Sequence, residues 1–238
     1  MFTHFRTQGI VLDKVDRGEA DRIFTIFTKN FGKLKILGKA IRKIKSKLRG
    51  GIETFYLTEV EFIQGKIYKT LTDTFLINNF HNLRKSLART RIGFKISEVL
   101  SGFLKGEEKD ERIWELLKLT LEKLNDPRTS TPLIWYYYFL WNLFSILGYR
   151  PELNSCIVCQ KKLITAKLYF NSERGGIVCQ SCSSKSKEGK EINLDTVRIL
   201  RIIVNKDTST LKRLKIQKRH LVLLENVSDY FLHSLQFS

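Results

Sequence analysis

Four cysteines, Cys156, Cys159, Cys179 and Cys182, are the only thiols in 238 residues, and all fall in the stretch CIVCQKKLITAKLYFNSERGGIVCQSC. Their form is C-x2-C-x19-C-x2-C, a spacing that reads as a zinc site. A two-residue gap lets both sulfurs of a knuckle face one ion, and four thiolates close a tetrahedral shell around Zn²⁺. Gly175-Gly176, just before the second knuckle, permits the tight backbone turn needed there. Such a shell is formally −2, and Lys161, Lys162 and Lys185 are near enough in sequence to offset it. The rivals are an iron–sulfur cluster and a redox pair, but the βαβ pattern that accompanies a thioredoxin-like CxxC is absent. A closed shell leaves no position for substrate, so the site is expected to be structural.

The second constellation is KLKILGKAIRKIKSKLR. It carries Lys33, Lys35, Lys39, Arg42, Lys43, Lys45, Lys47 and Arg49 without one acid. Like charges this dense repel one another, and phosphates would relieve that cost. The plain alternative is a solvated strand-and-loop face. Phe24, Phe27, Phe31 and Tyr56 lie nearby and could stack bases, although core is the better expectation for each one.

Enzymatic motifs are missing. GKLKILGKA imitates a phosphate loop, but five residues rather than four separate Gly32 from Gly38, and Ala40 replaces the hydroxyl that would hold Mg²⁺. Asp13, Asp16, Glu19 and Asp21 suggest a metal-dependent nuclease, yet turn chemistry around Gly18 explains them more simply. The four histidines, His4, His81, His220 and His233, are far apart. No catalytic residue and no small-molecule substrate are expected.

The elements that must position these groups follow from hydrophobic period. QGIVLDKV, DRIFTIFTK and KLKILGKA read as strands, the last with Lys33 and Lys35 alternating against Leu34 and Ile36. FYLTEVEFIQGKIYKTLTDTFLI supplies two more, joined at Gln64-Gly65-Lys66, and KSKLRGGIETF can hold one short helix. Five strands with no long helix before residue 82 suggest a small barrel, in an order compatible with an OB-fold. Helical stripes then follow: Ile92 to Leu104 with Gly106 beyond, Ile113 to Leu124 closed by Asp126-Pro127, and an almost wholly apolar helix from Pro132 to Gly148. Val197 to Val204 and Leu221 to Leu235 are two more, and Ser183–Glu191 reads as an exposed loop. The fold class is α+β multidomain. An OB-fold β-barrel spans 1–80, and a mainly α-helical domain spans 81–155 and 183–238. A four-cysteine, zinc-finger-like segment at 156–182 interrupts that domain and clasps its two parts together.

Lys plus Arg number 42 against 24 acids, a formal charge of +18 that both ends of the chain share. That excess favours a polyanionic partner, nucleic acid before an anionic membrane surface. The N-terminus does not read as a signal peptide, and LIWYYYFLWNLFSIL is shorter than the ~20 residues a bilayer span needs. A cytoplasmic setting is expected, where paired cysteines bind metal more often than they form disulfides.

GEADRIFTIFTKNFGKLKILGKAIRKIKSKLRGGIETF with TEVEFIQGK resembles the N-terminal domain of the RecO family of bacterial recombination mediators. GYRPELNSCIVC and ERGGIVCQSC resemble that family's central cysteine region. Gln160 departs from the small residue common after the first knuckle, and Ile41 and Ile44 interrupt a usually more polar loop. The resemblance implies binding of single- and double-stranded DNA, strand annealing, and loading of RecA onto DNA coated with single-strand-binding protein. It further implies RecR, single-strand-binding protein and also RecF and RecA as partners, with nucleoid association. The eight cations from Lys33 to Arg49 match the family's DNA-binding stretch, and the four cysteines match its zinc ligands. Three readings of other classes remain beside it: an RNA-binding module with a zinc ribbon, a nuclease, and a scaffold without nucleic acid.

Overall fold

The computed structural model describes residues 3–65, 67–164, 167–186 and 189–236, with 185 and 186 given by backbone alone. Lys66 of the expected hairpin turn lies outside them. The described chain divides into two compact units at Leu133/Ile134.

In the first unit β1 (His4–Arg17), β2 (Asp21–Thr28), β3 (Gly32–Gly38), β4 (Leu57–Ile63) and β5 (Lys69–Asn78) close a barrel in the order β1-β2-β3-β5-β4. This is the OB-like arrangement expected from the strand count. β1 is long enough to serve two neighbours: His4–Ile10 pairs with β4, and Gly9–Arg17 pairs with β2 across a bulge after Val11. Bulges of this kind bend a strand round a barrel corner. Gly9 sits where β1 passes β2 so closely that a Cβ would lie 2.5 Å from Ile26 Cγ2. The period-two reading of β3 holds, since Leu34 and Ile36 are buried while Lys33 and Lys35 face outward. Val11, Phe24, Ile26, Leu34, Ile36, Val60, Phe62 and Leu71 form the core together with Ile41 and Ile52 from the β3–β4 crossover. That crossover contains one turn of 3-10 helix, Lys47–Gly51, pinned where Thr74 Oγ1 donates to the Leu48 carbonyl at 3.1 Å.

Three helices complete this unit: α1 (His81–Lys85), α2 (Leu87–Phe103) and α3 (Glu111–Asn125). Asp110 caps α3 by accepting from the Arg112 and Ile113 amides, an N-cap role suited to a short acid. The other end of α3 is held by Arg89, whose guanidinium donates to the carbonyls of Leu124, Asp126 (2.7 Å) and Thr129 (3.2 Å). Carbonyls at a helix C-terminus lack partners within the helix, and a cation also suits the negative end of its dipole.

In the second unit α4 (Leu133–Ile146) is buried at every residue from Ile134 to Phe144, as its all-round apolar sequence requires. It stops in a left-handed turn at Gly148 (φ +97°), where the Tyr149 amide reaches back to the Phe144 carbonyl at 2.8 Å. A small sheet follows, made of β6 (Leu168–Asn171), β7 (Gly176–Cys179) and β8 (Lys190–Ile192) in the order β7-β6-β8. Then come α5 (Gln180–Ser186), α6 (Leu194–Val204), α7 (Thr208–Arg213) and α8 (Lys218–Gln236), with α5 preceding β8 in the chain. Ser183–Glu191, expected as a loop, is instead the end of α5 and the start of β8, with 187 and 188 outside the described residues. The sheet is anchored by Phe170, whose ring centroid lies 5.5 Å from that of Trp141 on α4 and 5.1 Å from that of Phe231 on α8. Trp141 Nε1 donates to Ser228 Oγ at 2.8 Å, so the indole is satisfied inside this cluster.

Replacing Arg89 strips several carbonyls of a charged donor at once. Arg89→Ala should lower unfolding free energy by about 2 kcal/mol in urea titrations, with Arg89→Lys recovering only part of it.

Candidate nucleic-acid interface and metal centre

The eight cations of the basic run do not share one environment. Lys39, Arg42, Lys43, Lys45, Lys47 and Arg49 are exposed on the crossover between β3 and β4, which Ile41 and Ile52 tether to the core. Among the described residues Lys39, Lys43, Lys45, Lys47 and Arg49 take part in no ion pair. Arg42 is partly engaged, donating to the Gly18 carbonyl at 3.1 Å and facing Asp16 at 3.4 Å. Ile44 projects from this loop almost fully exposed. Lys35 is exposed on β3, but Lys33 is half-buried and its ammonium donates to the Ser101 carbonyl at 3.0 Å. Burial there lowers the Lys33 pKa, and the neighbouring Lys35 charge adds to the effect.

Two solvent-open cavities flank the run. One, of about 530 Å³, gathers cations from four elements: Lys14 of β1, Arg22 of β2, Arg42 and Arg49 of the crossover, and Arg84 of α1. Phe24, Ile41 and Ile52 floor it, and Tyr56 forms a wall with the Arg84 guanidinium 4.6 Å from its ring centroid. Glu53 is its only acid among the described residues. Burial pushes the Glu53 carboxyl up, but the Lys14 ammonium and the Thr54 amide outweigh it and hold it below its ordinary value. At the rim Asp16 accepts from Arg22 at 2.6 Å, and this hydrogen bond holds its carboxyl low. The run-based reading included Arg42 and Arg49 but missed Lys14, Arg22 and Arg84, because only the folded barrel brings them together.

The second cavity, of about 620 Å³, lies against the outer face of β2 and β3, lined by Thr25, Lys33, Lys35, Tyr68 and Lys69. It is bounded by the α2–α3 connection, where Glu107 pairs with Lys69 at 2.5 Å. Gly32 (φ +65°) faces the same connection, and a Cβ there would lie 2.3 Å from the Glu108 carbonyl oxygen. The suspected base-stacking aromatics sort accordingly. Phe24, although it lines the floor of the first cavity, is buried like Phe27, and Phe31 packs edge-on against Phe5 and Phe62, so of the cavity's two aromatics Tyr56 is the one that is part-exposed. The phosphate-loop imitation is strand β3, whose extended backbone forms no anion-cradling loop. The clustered carboxylates serve the β1–β2 turn and its neighbours: Asp21 accepts from the Ala40 amide at 2.8 Å, and Gly18 turns the chain at φ +59°.

The cysteines converge as their spacing predicts. Their four Sγ atoms lie within 4.8 Å of one another, and none is in a disulfide. A tetrahedral shell with metal–sulfur bonds of ~2.3 Å separates its sulfurs by about 3.8 Å. The Cys159 and Cys179 sulfurs are 3.8 Å apart. This donor set fits a metal ion such as Zn²⁺.

The two copies of Ile-Val-Cys-Gln build the centre side by side. The Ile157 amide donates to the Ile177 carbonyl at 2.9 Å, and Cys179 N approaches Cys156 Sγ at 3.4 Å. Gly175 turns at φ +60°, while a Cβ on Gly176 would lie 2.4 Å from Ile157 Cγ2, so the two knuckles meet only with glycine there. Gln160 holds the left-handed φ of +58° that closes the first knuckle, a conformation that costs a side-chain-bearing residue. Burial pushes the Cys156 thiol up, but the amides of Cys159, Cys179 and Val158 outweigh it and bring it to about 6. A hydrogen bond to the Cys179 sulfur, then burial and hydrogen bonds to the other two sulfurs, push Cys182 up to about 12. Four sulfurs this close ionise together only around a cation. Lys161 and Lys162 are exposed beside the first knuckle; the Lys185 side chain lies outside the described residues.

Cys179→Ser should therefore reduce bound metal, read by elemental emission analysis, and lower the melting temperature. Gln160→Gly should raise stability by up to about 1 kcal/mol by relieving the left-handed strain, measured on the metal-loaded protein.

Among the described residues no helix is long and apolar enough to cross a membrane. The sequence profile described as Recombination protein O N terminal matches residues 1–80, and that described as Recombination protein O C terminal matches 84–235. A protein of Dehalococcoides mccartyi named DNA repair protein RecO is 36% identical over 221 residues, covering 93% of this chain and 86% of the relative. Proteins of the same name from Caldanaerobacter subterraneus and Acetivibrio thermocellus are 31% and 29% identical, covering 89% and 96% of this chain and 84% and 90% of theirs. With both profiles spanning the barrel, the helices and the cysteine centre, the chain belongs to the RecO family of DNA repair proteins.

Proposed function

We propose that the protein is a recombination mediator without catalytic turnover. It binds single- and double-stranded DNA, anneals complementary strands and helps load RecA onto DNA coated with single-strand-binding protein, in partnership with RecR and with RecF. One observation carries the DNA-binding part. Five cations of the β3–β4 crossover, Lys39, Lys43, Lys45, Lys47 and Arg49, stand exposed without ion-pair partners among the described residues, on a loop whose ends are fixed in the core. A loop so anchored presents its charges as a surface and keeps their mutual repulsion until phosphates arrive. Lysines and arginines spaced this way read the backbone rather than base edges, as a mediator acting on any sequence requires.

Zn²⁺ is the ion we assign to Cys156, Cys159, Cys179 and Cys182, because an all-thiolate tetrahedron suits it and leaves no open ligand position. There it would hold the β6–β8 sheet and the first knuckle together, an architectural part. The setting we assign is the cytoplasm, at the nucleoid, where thiols stay reduced and available to metal.

With about five phosphates neutralised, log K for a single strand should fall against log salt with a slope of about −3.5. A Lys43→Ala/Lys45→Ala/Lys47→Ala variant should weaken duplex and single strand alike and flatten that slope by about 2. Affinity indifferent to salt would refute the reading, and stronger retention of RNA than DNA in competition would favour an RNA-binding role instead. Annealing of complementary strands coated with single-strand-binding protein, with and without RecR, tests the mediator part directly.

A further inference from the structure

The exposed crossover accounts for backbone attraction, but the 530 Å³ cavity beside it has features that backbone attraction does not need. Its cations come from four separate elements, and several have a defined seat. Arg22 is fixed by Asp16 at 2.6 Å, Lys14 by Glu53, and Arg42 by the Gly18 carbonyl at 3.1 Å. Five positive charges against Glu53 inside and Asp16 at the rim leave an unmet demand for negative charge. The floor beneath them is apolar core, Phe24, Ile41 and Ile52. On one side the Arg84 guanidinium lies over the Tyr56 ring, 4.6 Å from its centroid. An aromatic ring with an arginine guanidinium over it is the kind of platform on which unpaired bases stack.

We propose that this cavity is a receptor for one unpaired nucleotide of a DNA single strand. Its phosphate lies among Arg22, Arg42 and Arg49, and its base extends the Tyr56–Arg84 stack. The volume lies within the range of small-molecule sites and suits a single nucleotide. A base inside a duplex has both faces covered by its neighbours, so it cannot enter without leaving the helix. The crossover lysines therefore hold either form of DNA, while the cavity adds affinity only for strands that are already open. This inference rests on the DNA-binding reading above and sharpens it: an annealing protein that grips unpaired nucleotides releases this grip as pairing proceeds.

The test measures binding by fluorescence anisotropy at one fixed salt concentration. Its ligands are an oligothymidine, a strand of equal length made of abasic sites, and a duplex of equal length. The wild type should bind the oligothymidine about tenfold tighter than the abasic strand, the scale of one stacked base. Tyr56→Leu should erase that difference while altering duplex binding less than twofold, and Tyr56→Phe should restore it. Arg84→Lys, which keeps the charge but loses the plane, should behave like Tyr56→Leu. Melting curves of each variant confirm that it is folded, and a variant that fails to fold leaves the abasic comparison on the wild type as the deciding measurement. Equal wild-type affinity for abasic and base-bearing strands overturns the nucleotide receptor but leaves backbone binding standing. A Tyr56→Leu variant weakened equally for duplex and single strand does the same. Absence of binding to all three ligands overturns both readings together.

Discussion

Among the described residues, barrel closure between β3 and β5 rests on two parallel pairs, Ile36 with Lys69 and Leu37 with Thr70. Parallel neighbours cannot be joined by a tight hairpin. Because β5 rather than β4 lies beside β3, the chain must leave the sheet at Gly38 and travel round the barrel before it re-enters at Leu57. That obligatory crossover is where most of the basic run is carried. Ile41 and Ile52 turn back into the core near its two ends, so the charged middle is held out in solvent at fixed places. Its cations, the cavity wall at Arg49 and Tyr56, and the approach to the β1–β2 turn through Arg42 all follow from one closure.

Much of this was legible in the sequence because it is written in local period. The alternation of Lys33 and Lys35 against Leu34 and Ile36 survives into β3, and the apolar stripe from Ile113 to Leu124 survives into α3. The cysteine spacing likewise announced four sulfurs in one place. What could not be read were arrangements that depend on distant segments. Lys14, Arg22 and Arg84 lie outside the run on three different elements, and nothing in their neighbourhoods marks them as partners. β6, β7 and β8 are four, four and three residues long, too short to display a period. The loop expected at Ser183–Glu191 shows the same limit, since its serines and lysines favour solvent whether or not the backbone is hydrogen-bonded. The doubled Ile-Val-Cys-Gln was a visible signal of the pairing between knuckles, because equal sequences suit equal roles on either side of one ion.

The metal centre and the barrel solve opposite electrostatic problems. Around the cysteines, negative charge is concentrated, and amide groups lower the Cys156 thiol while its neighbours hold the Cys182 proton in place. A metal ion bound by the four sulfurs would resolve that conflict, and its part would be structural. Around the barrel, positive charge is concentrated, and carboxylates such as Asp16 and Glu53 balance part of it. The remainder has no counter-charge within the barrel's described residues and would suit a ligand that comes and goes.

Glu107 gives this balance a further consequence. Its carboxylate is a counter-ion tethered to the chain, held 2.5 Å from Lys69. A phosphate arriving at Lys69 would have to displace a bound carboxylate, and no free ion would enter the solvent in exchange. Lys33 differs, since the Ser101 carbonyl orients its ammonium without neutralising it. On the DNA-binding reading proposed above, the thermodynamic valence toward DNA is set by the cations the chain itself leaves unneutralised, and not by its total of lysines and arginines.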